Sequence, residues 1–353
     1  MQQNTENRLS KLYEQYGYKR YIMSKFEEYD LYAKNKNFIN NENIITFTDL
    51  HGRLLALKPD VTLSIVKNTA GDNESLVKVY YNESVFRSSK TTHDIKETTQ
   101  TGLELIGDID LYSQAEVLSL ACESLKAASD DYLIDISHIG FVSGLVDEAV
   151  EDEVLKNEIL NFISRKNTHQ LKKLCEDHGV DADITQNLVK LVSIYGGFKD
   201  AIKLARELVV NEAMSSSLNE LERIYDAASV LCDSSKVNLD FSIVNDMRYY
   251  NSVIFQGYIK GVPDYVLSGG RYDRIVQKMG RDAGAIGFGI NIDMLPTHSN
   301  NKQYDVDCLI VCGKNTDEQK IASAVKNAHF SGKTVRVTND ENTKLKYREL
   351  INL

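Results

Sequence analysis

The chain has 353 residues, 42% hydrophobic and 26% charged, the composition of a globular protein large enough to divide its core between domains. Its formal net charge of -10 sets the surface as a whole against a phosphate backbone, so no nucleic acid is expected as a partner. No run approaches the roughly 20 apolar residues of a membrane span and residues 1–8 are polar, so neither a membrane nor a signal peptide is expected and the cytoplasm is the expected location.

The helical spacing of Leu9, Leu12, Tyr13 and Tyr16, stopped by Gly17, predicts a helix over 6–16 that feeds an extended strand. Residues 21–32 mix aromatics with charges and 35–43 predict a polar turn. Residues 44–49 and 53–57 predict a hairpin around Asp49-Leu50-His51-Gly52. Strands are expected at 76–81 and 101–106, joined through 85–100 by a hairpin with a long loop, apolar at first and then polar. A helix over 113–128 and a strand over 132–141, with alternating Asp135 and Ser137, complete a first part that lacks regular βαβ alternation. An α+β fold follows, an antiparallel sheet flanked by helices, with its first part at 1–140.

Residues 141–236 are rich in Leu, Glu, Lys and Ala, with helical periodicity at 157–163, 171–175, 188–195 and 218–231, and form a helical insert. Strand patterns return at 239–244, 252–259, 265–267 and 285–292, so 237–296 is the second part of the interrupted sheet. Residues 297–303 read as a linker. A strand at 306–312, a helix at 316–331 and a strand at 334–338 make a short α/β unit over 304–353, marginal for independent folding and expected to dock on the main body or on a partner. Cys122, Cys175, Cys232, Cys308 and Cys312 contain no Cys-x-x-Cys pair, so reduced thiols are expected, with no disulfide framework, no metal site and no cofactor.

Four motifs in one order carry a likeness. Leu57-Lys58-Pro59-Asp60-Val61-Thr62 resembles the Leu-Arg-Pro-Glu-x-Thr segment of histidyl-tRNA synthetases. Val85-Phe86-Arg87, a polar loop, and Gln100-Thr101-Gly102-Leu103-Glu104 resemble their class II motif 2 hairpin. Tyr249-Tyr250-Asn251 sits where that family has Arg-Gly-Leu-Asp-Tyr-Tyr, and Gly269-Gly270-Arg271-Tyr272-Asp273 with Gly287-Phe288-Gly289 resembles its closing segments. The resemblance covers about residues 10–295 and implies a class II aminoacyl-tRNA synthetase-like core.

The retained residue types suit a small, polar, zwitterionic ligand. Asp60 and Glu104 can hold an ammonium or an imidazole N–H, Thr62 and Gln100 are neutral partners, and Arg87 can pair with a carboxylate or phosphate. Tyr249, Tyr250 and Tyr272 can supply aromatic walls with polar tips. The resemblance puts most of these positions in a histidine-binding site. Asp60 after a proline is equally the kind of residue that caps a turn, and the tyrosines equally fill core.

The departures point away from aminoacylation. The resemblance puts Asn245 where the synthetases have the arginine of the activating transition state, Met294 where an arginine covers the ATP phosphates, and Ser89 where motif 2 has a glutamate. One such donor commonly accounts for ~10² to 10³ in rate. Arg248 and Arg281 are the nearby alternatives. With the C-terminal unit resembling only the first half of an anticodon-binding domain, the pattern is similar to the histidyl-tRNA synthetase-like regulatory subunits of ATP phosphoribosyltransferase. That resemblance implies a non-catalytic chain, a short-form catalytic partner subunit, histidine as effector, and a homodimer through the class II core within a hetero-oligomer. A divergent histidine–tRNA ligase and a stand-alone histidine-binding protein are the alternatives.

Overall fold

The computed structural model describes residues 2–35, 44–69, 76–88, 94–244, 249–296, 304–313, 315–340 and 343–353. The chain divides into two compact units, Met1–Pro296 and Thr297–Leu353. The first begins with α1 (Gln2–Gln15), β1 (Lys19–Arg20), β2 (Phe26–Glu28), α2 (Tyr29–Lys34), β3 (Thr46–Thr48), β4 (Leu54–Leu57), α3 (Thr62–Asn68), β5 (Leu76–Ser88), β6 (Ile95–Gly107), α4 (Leu111–Ala128) and β7 (Tyr132–His138). A mostly helical stretch follows: α5 (Ile139–Ala149), α6 (Glu153–Ser164), α7 (Thr168–Asp177), α8 (Ala182–Ser193), β8 (Tyr195–Gly197), α9 (Phe198–Arg206) and α10 (Glu212–Ala228). The unit closes with β9 (Val237–Asp240), β10 (Val253–Ile259), β11 (Leu267–Arg271), α11 (Asp273–Lys278) and β12 (Gly284–Asn291).

These strands form a nine-stranded sheet in the order β1-β5-β6-β12-β11-β10-β7-β9-β8, with β2, β4 and β3 in a small antiparallel sheet of their own. The large sheet is antiparallel as expected except at two places, where β1 runs parallel to β5 and β7 parallel to β9. One face is covered by α4, whose Asp110 accepts from the Ser113 N–H at 2.7 Å and so satisfies an otherwise orphaned donor of the first turn. Leu118, Leu120 and Leu125 of that helix have no exposed surface. Tyr13 of α1 lies in the same core and shares a hydrogen bond of 2.9 Å with Ser124, and Gly17 ends the run of α1 at φ +82°, a conformation that glycine adopts without strain. The opposite face, packed by α3 and by the chain around Tyr250 and Tyr272, carries a second core cluster and the cavity described below.

The expected elements are present, with corrected limits. The long loop expected over 85–100 is largely strand: β5 and β6 stay paired out to Ser88 and Ile95, because alternating side chains keep both strands in one thirteen-residue ladder. The strand expected to reach residue 141 stops at His138, whose ring nitrogen accepts from the Gly140 N–H at 3.1 Å and starts α5. Residues 188–195 are not one helix, since α8 ends at Ser193 and Tyr195 opens β8, which returns the helical stretch to the sheet edge beside β9. The strand read at 239–244 is β9, ending at Asp240, and the one read at 265–267 lies later, so that Gly269-Gly270-Arg271 is itself strand. Several short elements escaped periodicity, among them β2, α2, α3, β8 and α11, each too short to show a period. The turn expected over 35–43, apart from Asn35, and the linker over 297–303 lie outside the described residues, as do Ser89, Asn245 and Arg248.

In the second unit, β13 (Val306–Val311), α12 (Glu318–Phe330) and β14 (Val335–Thr338) form the expected β-α-β, and β15 (Tyr347–Asn352) adds an unforeseen third parallel strand on the other side of β13. Cys308 is buried within β13. Among the described residues no helix is long and apolar enough to cross a membrane.

A buried clamp holds the Leu57–Asp60 segment against β5. The Lys58 ammonium, with no exposed side-chain surface, meets Glu83 Oε2 at 2.7 Å, while the Lys58 carbonyl accepts from the Phe86 N–H at 2.8 Å. A buried charge deprived of its partner is costly. Glu83→Gln should therefore lose about 2 kcal/mol in urea unfolding, and the double change Lys58→Met with Glu83→Gln should recover most of that. A double variant no more stable than the single one would show that the pair is not the clamp.

Candidate functional site: an acid-centred cavity over a glycine floor

Alternation along β6 sends Gln100, Gly102 and Glu104 to one face of the sheet. The register sets Gly289 and Gly287 of β12 opposite Gly102 and Glu104, Ser268 of β11 opposite Gly289, and Tyr81 of β5 opposite Gly102. Small residues thus meet at the sheet centre and leave a depression. The space is spoken for: a Cβ on Gly287 would lie 1.9 Å from Glu104 Oε2, and one on Gly102 would lie 2.1 Å from the Phe288 carbonyl oxygen. Only a backbone without side chains lets the Glu104 carboxyl and the Tyr81 ring lie flat across the strands.

The walls come from three places in the sequence. Between β4 and α3, Asp60 Oδ1 accepts from the Leu63 N–H at 2.9 Å, which orients the carboxylate and supplies an acceptor to the first turn of α3. Arg87 of β5 donates through Nε to the Pro59 carbonyl at 2.9 Å, bringing its guanidinium to the cavity beside Asp60. Thr62, the first residue of α3, donates to Glu104 Oε1 at 2.7 Å, and Tyr272 donates to Glu104 Oε2 at 2.5 Å. Tyr249 bridges the aromatic side, its ring centroid 4.8 Å from that of Tyr250 and 5.6 Å from that of Tyr272.

Burial pushes Glu104 up from 4.5 to about 8, against the lowering effect of the Tyr272 and Thr62 hydroxyls, and the nearby Asp60 adds to the rise. Burial also raises Asp60, opposed by the Leu63 N–H and the Arg87 charge. The hydroxyls of Tyr81, Tyr249 and Tyr272 are held far above their usual range by burial, so they stay protonated donors. The cavity measures about 160 Å³, close to the ~150 Å³ that admits a single aromatic ring and below the ~300–1,000 Å³ of pockets for larger ligands. Two acids, one guanidinium and four tyrosines in that volume can hold one small molecule carrying an N–H cation and a carboxylate.

All eight residues singled out from the sequence line this one cavity: Asp60, Thr62, Arg87, Gln100, Glu104, Tyr249, Tyr250 and Tyr272. The two readings of Asp60 and of the tyrosines are not exclusive, since Asp60 both serves the α3 turn and lines the cavity, and Tyr272 is 1% exposed while holding Glu104. Sequence reasoning missed Tyr81 and Ser268 as lining residues. The signal for Tyr81 was its place in an alternating strand ahead of Arg87, and Ser268 gave none. Met294, where an arginine would cover ATP phosphates, packs against the core on the helical side of the sheet rather than lining the cavity. Arg281 does not replace it: its Nη1 donates to the Val66 carbonyl and the Thr69 hydroxyl, at 3.3 and 3.0 Å.

Because the folded value of Glu104 lies above its ordinary one, the folded state holds a proton that the unfolded chain releases, and stability from this group falls as pH rises from about 4.5 to about 8. Glu104→Gln should therefore gain in thermal midpoint relative to the parent between pH 5 and pH 8.5; a difference that stays constant over that range would contradict the shift. Gly287→Ala should lose at least about 2 kcal/mol in denaturant unfolding by forcing the Glu104 carboxyl aside, and an unperturbed variant would show that the floor yields.

The histidyl-tRNA synthetase family model matches residues 1–295. The ATP phosphoribosyltransferase regulatory subunit of Acetivibrio thermocellus is 31% identical over 299 residues, covering 83% of this chain and 71% of that protein. A crystal structure from Bacillus halodurans, described as an ATP phosphoribosyltransferase regulatory subunit/histidyl-tRNA synthetase, superposes with a TM-score of 0.87 at 25% identity, covering 99% of this chain and 93% of its own. A chain of the ATP phosphoribosyl transferase complex of Thermotoga maritima shares the fold with a TM-score of 0.67 at 18% identity, covering 83% of this chain and 97% of its own. Since the family model spans the whole first unit and the Acetivibrio relative is matched over most of its length, this chain belongs to the histidyl-tRNA synthetase family and, within it, to the regulatory subunits of ATP phosphoribosyltransferase.

Proposed function

We propose that this chain is the non-catalytic partner of a short-form ATP phosphoribosyltransferase catalytic subunit at the first step of histidine biosynthesis, activating that subunit and contributing to its feedback inhibition by histidine. The observation that carries the reading is the combination in one site of an intact acid-centred cavity with a missing phosphate-binding arginine: Glu104, Thr62 and Tyr272 form a closed hydrogen-bonded unit, while Met294 is half-buried against the core and does not line the cavity. A cavity of about 160 Å³ suits an amino acid and is small for a nucleotide triphosphate. Histidine matches its charges, with the ammonium or imidazole on Asp60 and Glu104 and the carboxylate on Arg87. Homodimerisation through the class II core within a cytoplasmic hetero-oligomer, with no nucleic acid partner, completes the proposal.

Regulation requires that histidine bind the inhibited assembly more tightly than the active one, and coupling of this kind is typically ~1 to 3 kcal/mol. The test is phosphoribosyl-ATP formation by the short catalytic subunit of the same organism, with and without this chain and then with histidine. Activation that histidine reverses is expected. No effect, with the two proteins failing to co-elute and histidine-dependent ATP–pyrophosphate exchange appearing in this chain alone, would overturn the reading in favour of a ligase.

Glu104 adds a pH signature. At pH 7 its carboxyl holds a proton that an arriving cation would displace. Calorimetry of histidine binding in buffers of different ionisation enthalpy should show proton release near pH 7, abolished in Glu104→Gln. Binding without proton release would put histidine somewhere other than this cavity.

A further inference from the structure

The same face of the large sheet holds a second cavity, of about 420 Å³, within the ~300–1,000 Å³ usual for small-ligand sites. The register fixes the shared face: Ser268 of the first cavity stands opposite Gln256 of β10, and Gln256 stands opposite Asp135 of β7, which in turn pairs with Asn238 of β9. Asp135, only 6% exposed, and Gln256 form a buried polar floor. Lys166, in the turn after α6, and Tyr195 and Tyr258 stand around it.

One wall already displays how an ammonium is held here. The Lys166 Nζ lies 2.7 Å from Asp240 Oδ2 and 4.7 Å from the centroid of the Tyr195 ring, a carboxylate on one side and a π-face on the other. Asp135 offers the same elements nearby without the cation. Its Oδ1 accepts from Asn238 Nδ2 at 3.1 Å, and among the described residues no cationic group comes within ion-pairing distance of it. Tyr258, on the same face of β10, turns its hydroxyl onto Gln256 Oε1 at 2.9 Å, which keeps its ring upright beside the floor. The charged and titratable groups facing Asp135 are Asp240, Lys166 and the tyrosines 195, 258 and 265, so with both acids ionised the lining carries one excess negative charge. Burial holds Asp135 up at about 6, with the Asn238 amide opposing the rise, Asp240 adding to it and the more distant Lys166 charge opposing it.

We propose that this cavity is a second binding site, for a small organic molecule bearing a primary ammonium, which pairs with Asp135 while its carbon chain lies along Tyr258. The site is separate from the histidine cavity and does not depend on the function proposed for it. The probe is n-butylammonium, with 1-butanol as its neutral counterpart, titrated calorimetrically into the full chain at pH 7. Saturable binding of the amine and none of the alcohol is expected. Asp135→Asn should weaken that binding about tenfold or more, and Tyr258→Leu, which leaves the buried acid in place, should weaken it as well. Asp60→Asn, in the first cavity, should leave it unchanged. Carbon-13 spectra of the side-chain carboxyls should show the Asp135 midpoint falling by about one unit or more on binding. Absence of saturable binding, equal binding of the alcohol, or loss of binding in Asp60→Asn rather than Asp135→Asn would overturn the proposal.

Discussion

The first cavity depends on one buried carboxyl. Glu104 lies across a strip of backbone from which side chains are absent, and Gly287 directly opposite leaves it the only space it can occupy. Burial of an acid at 2% exposure is tolerable only because two hydroxyls, from Thr62 and Tyr272, meet its two oxygens. Those hydroxyls arrive from α3 and from the residue just after β11, so a single acid ties three separate stretches of chain to one point. Its raised proton affinity follows from the same burial and makes the site one proton richer near neutrality than its sequence would suggest.

The remaining geometry keeps that point accessible. Lys58 and Glu83 hold the strand-to-helix turn against β5, and the Pro59 carbonyl in that turn fixes Arg87. Asp60 and Arg87 therefore flank the acid on a rigid frame rather than on a free loop. On the aromatic side the rings of Tyr249, Tyr250 and Tyr272 pack on one another, so the wall is shaped by ring contacts as well as by backbone. An arrangement of this kind can hold and orient a small zwitterion; with Met294 packed against the core outside the cavity, the lining offers one guanidinium, Arg87, among the described residues.

The helical stretch plays a structural part that its composition concealed. It returns β8 to the sheet edge, and β8 with β9 builds the outer wall of the second cavity. The two cavities lie along one sheet face but differ in electrostatics. The first balances two acids against Arg87, and the second balances Asp240 against Lys166 and leaves Asp135 over.

The sequence by itself determined the α+β class, the interruption of the sheet by helices, and eight of the thirteen described residues that line the first cavity, because its motifs keep the spacing of a known family and strand alternation carries Gln100 and Glu104 to one face. Helices such as α1 and α4 were legible because a buried stripe recurs every turn over three turns or more, whereas β2, α2, β8 and β15 were too short or too plainly polar to show a period. Only the tertiary structure decided that Glu104 keeps its proton, that Lys58 is a buried clamp, that Tyr81 and Ser268 line the site, and that Asp135 has no cation within ion-pairing distance among the described residues. Each of these depends on which strands become neighbours and in what register, and hence on burial and distance, to which the order of residues along the chain is blind.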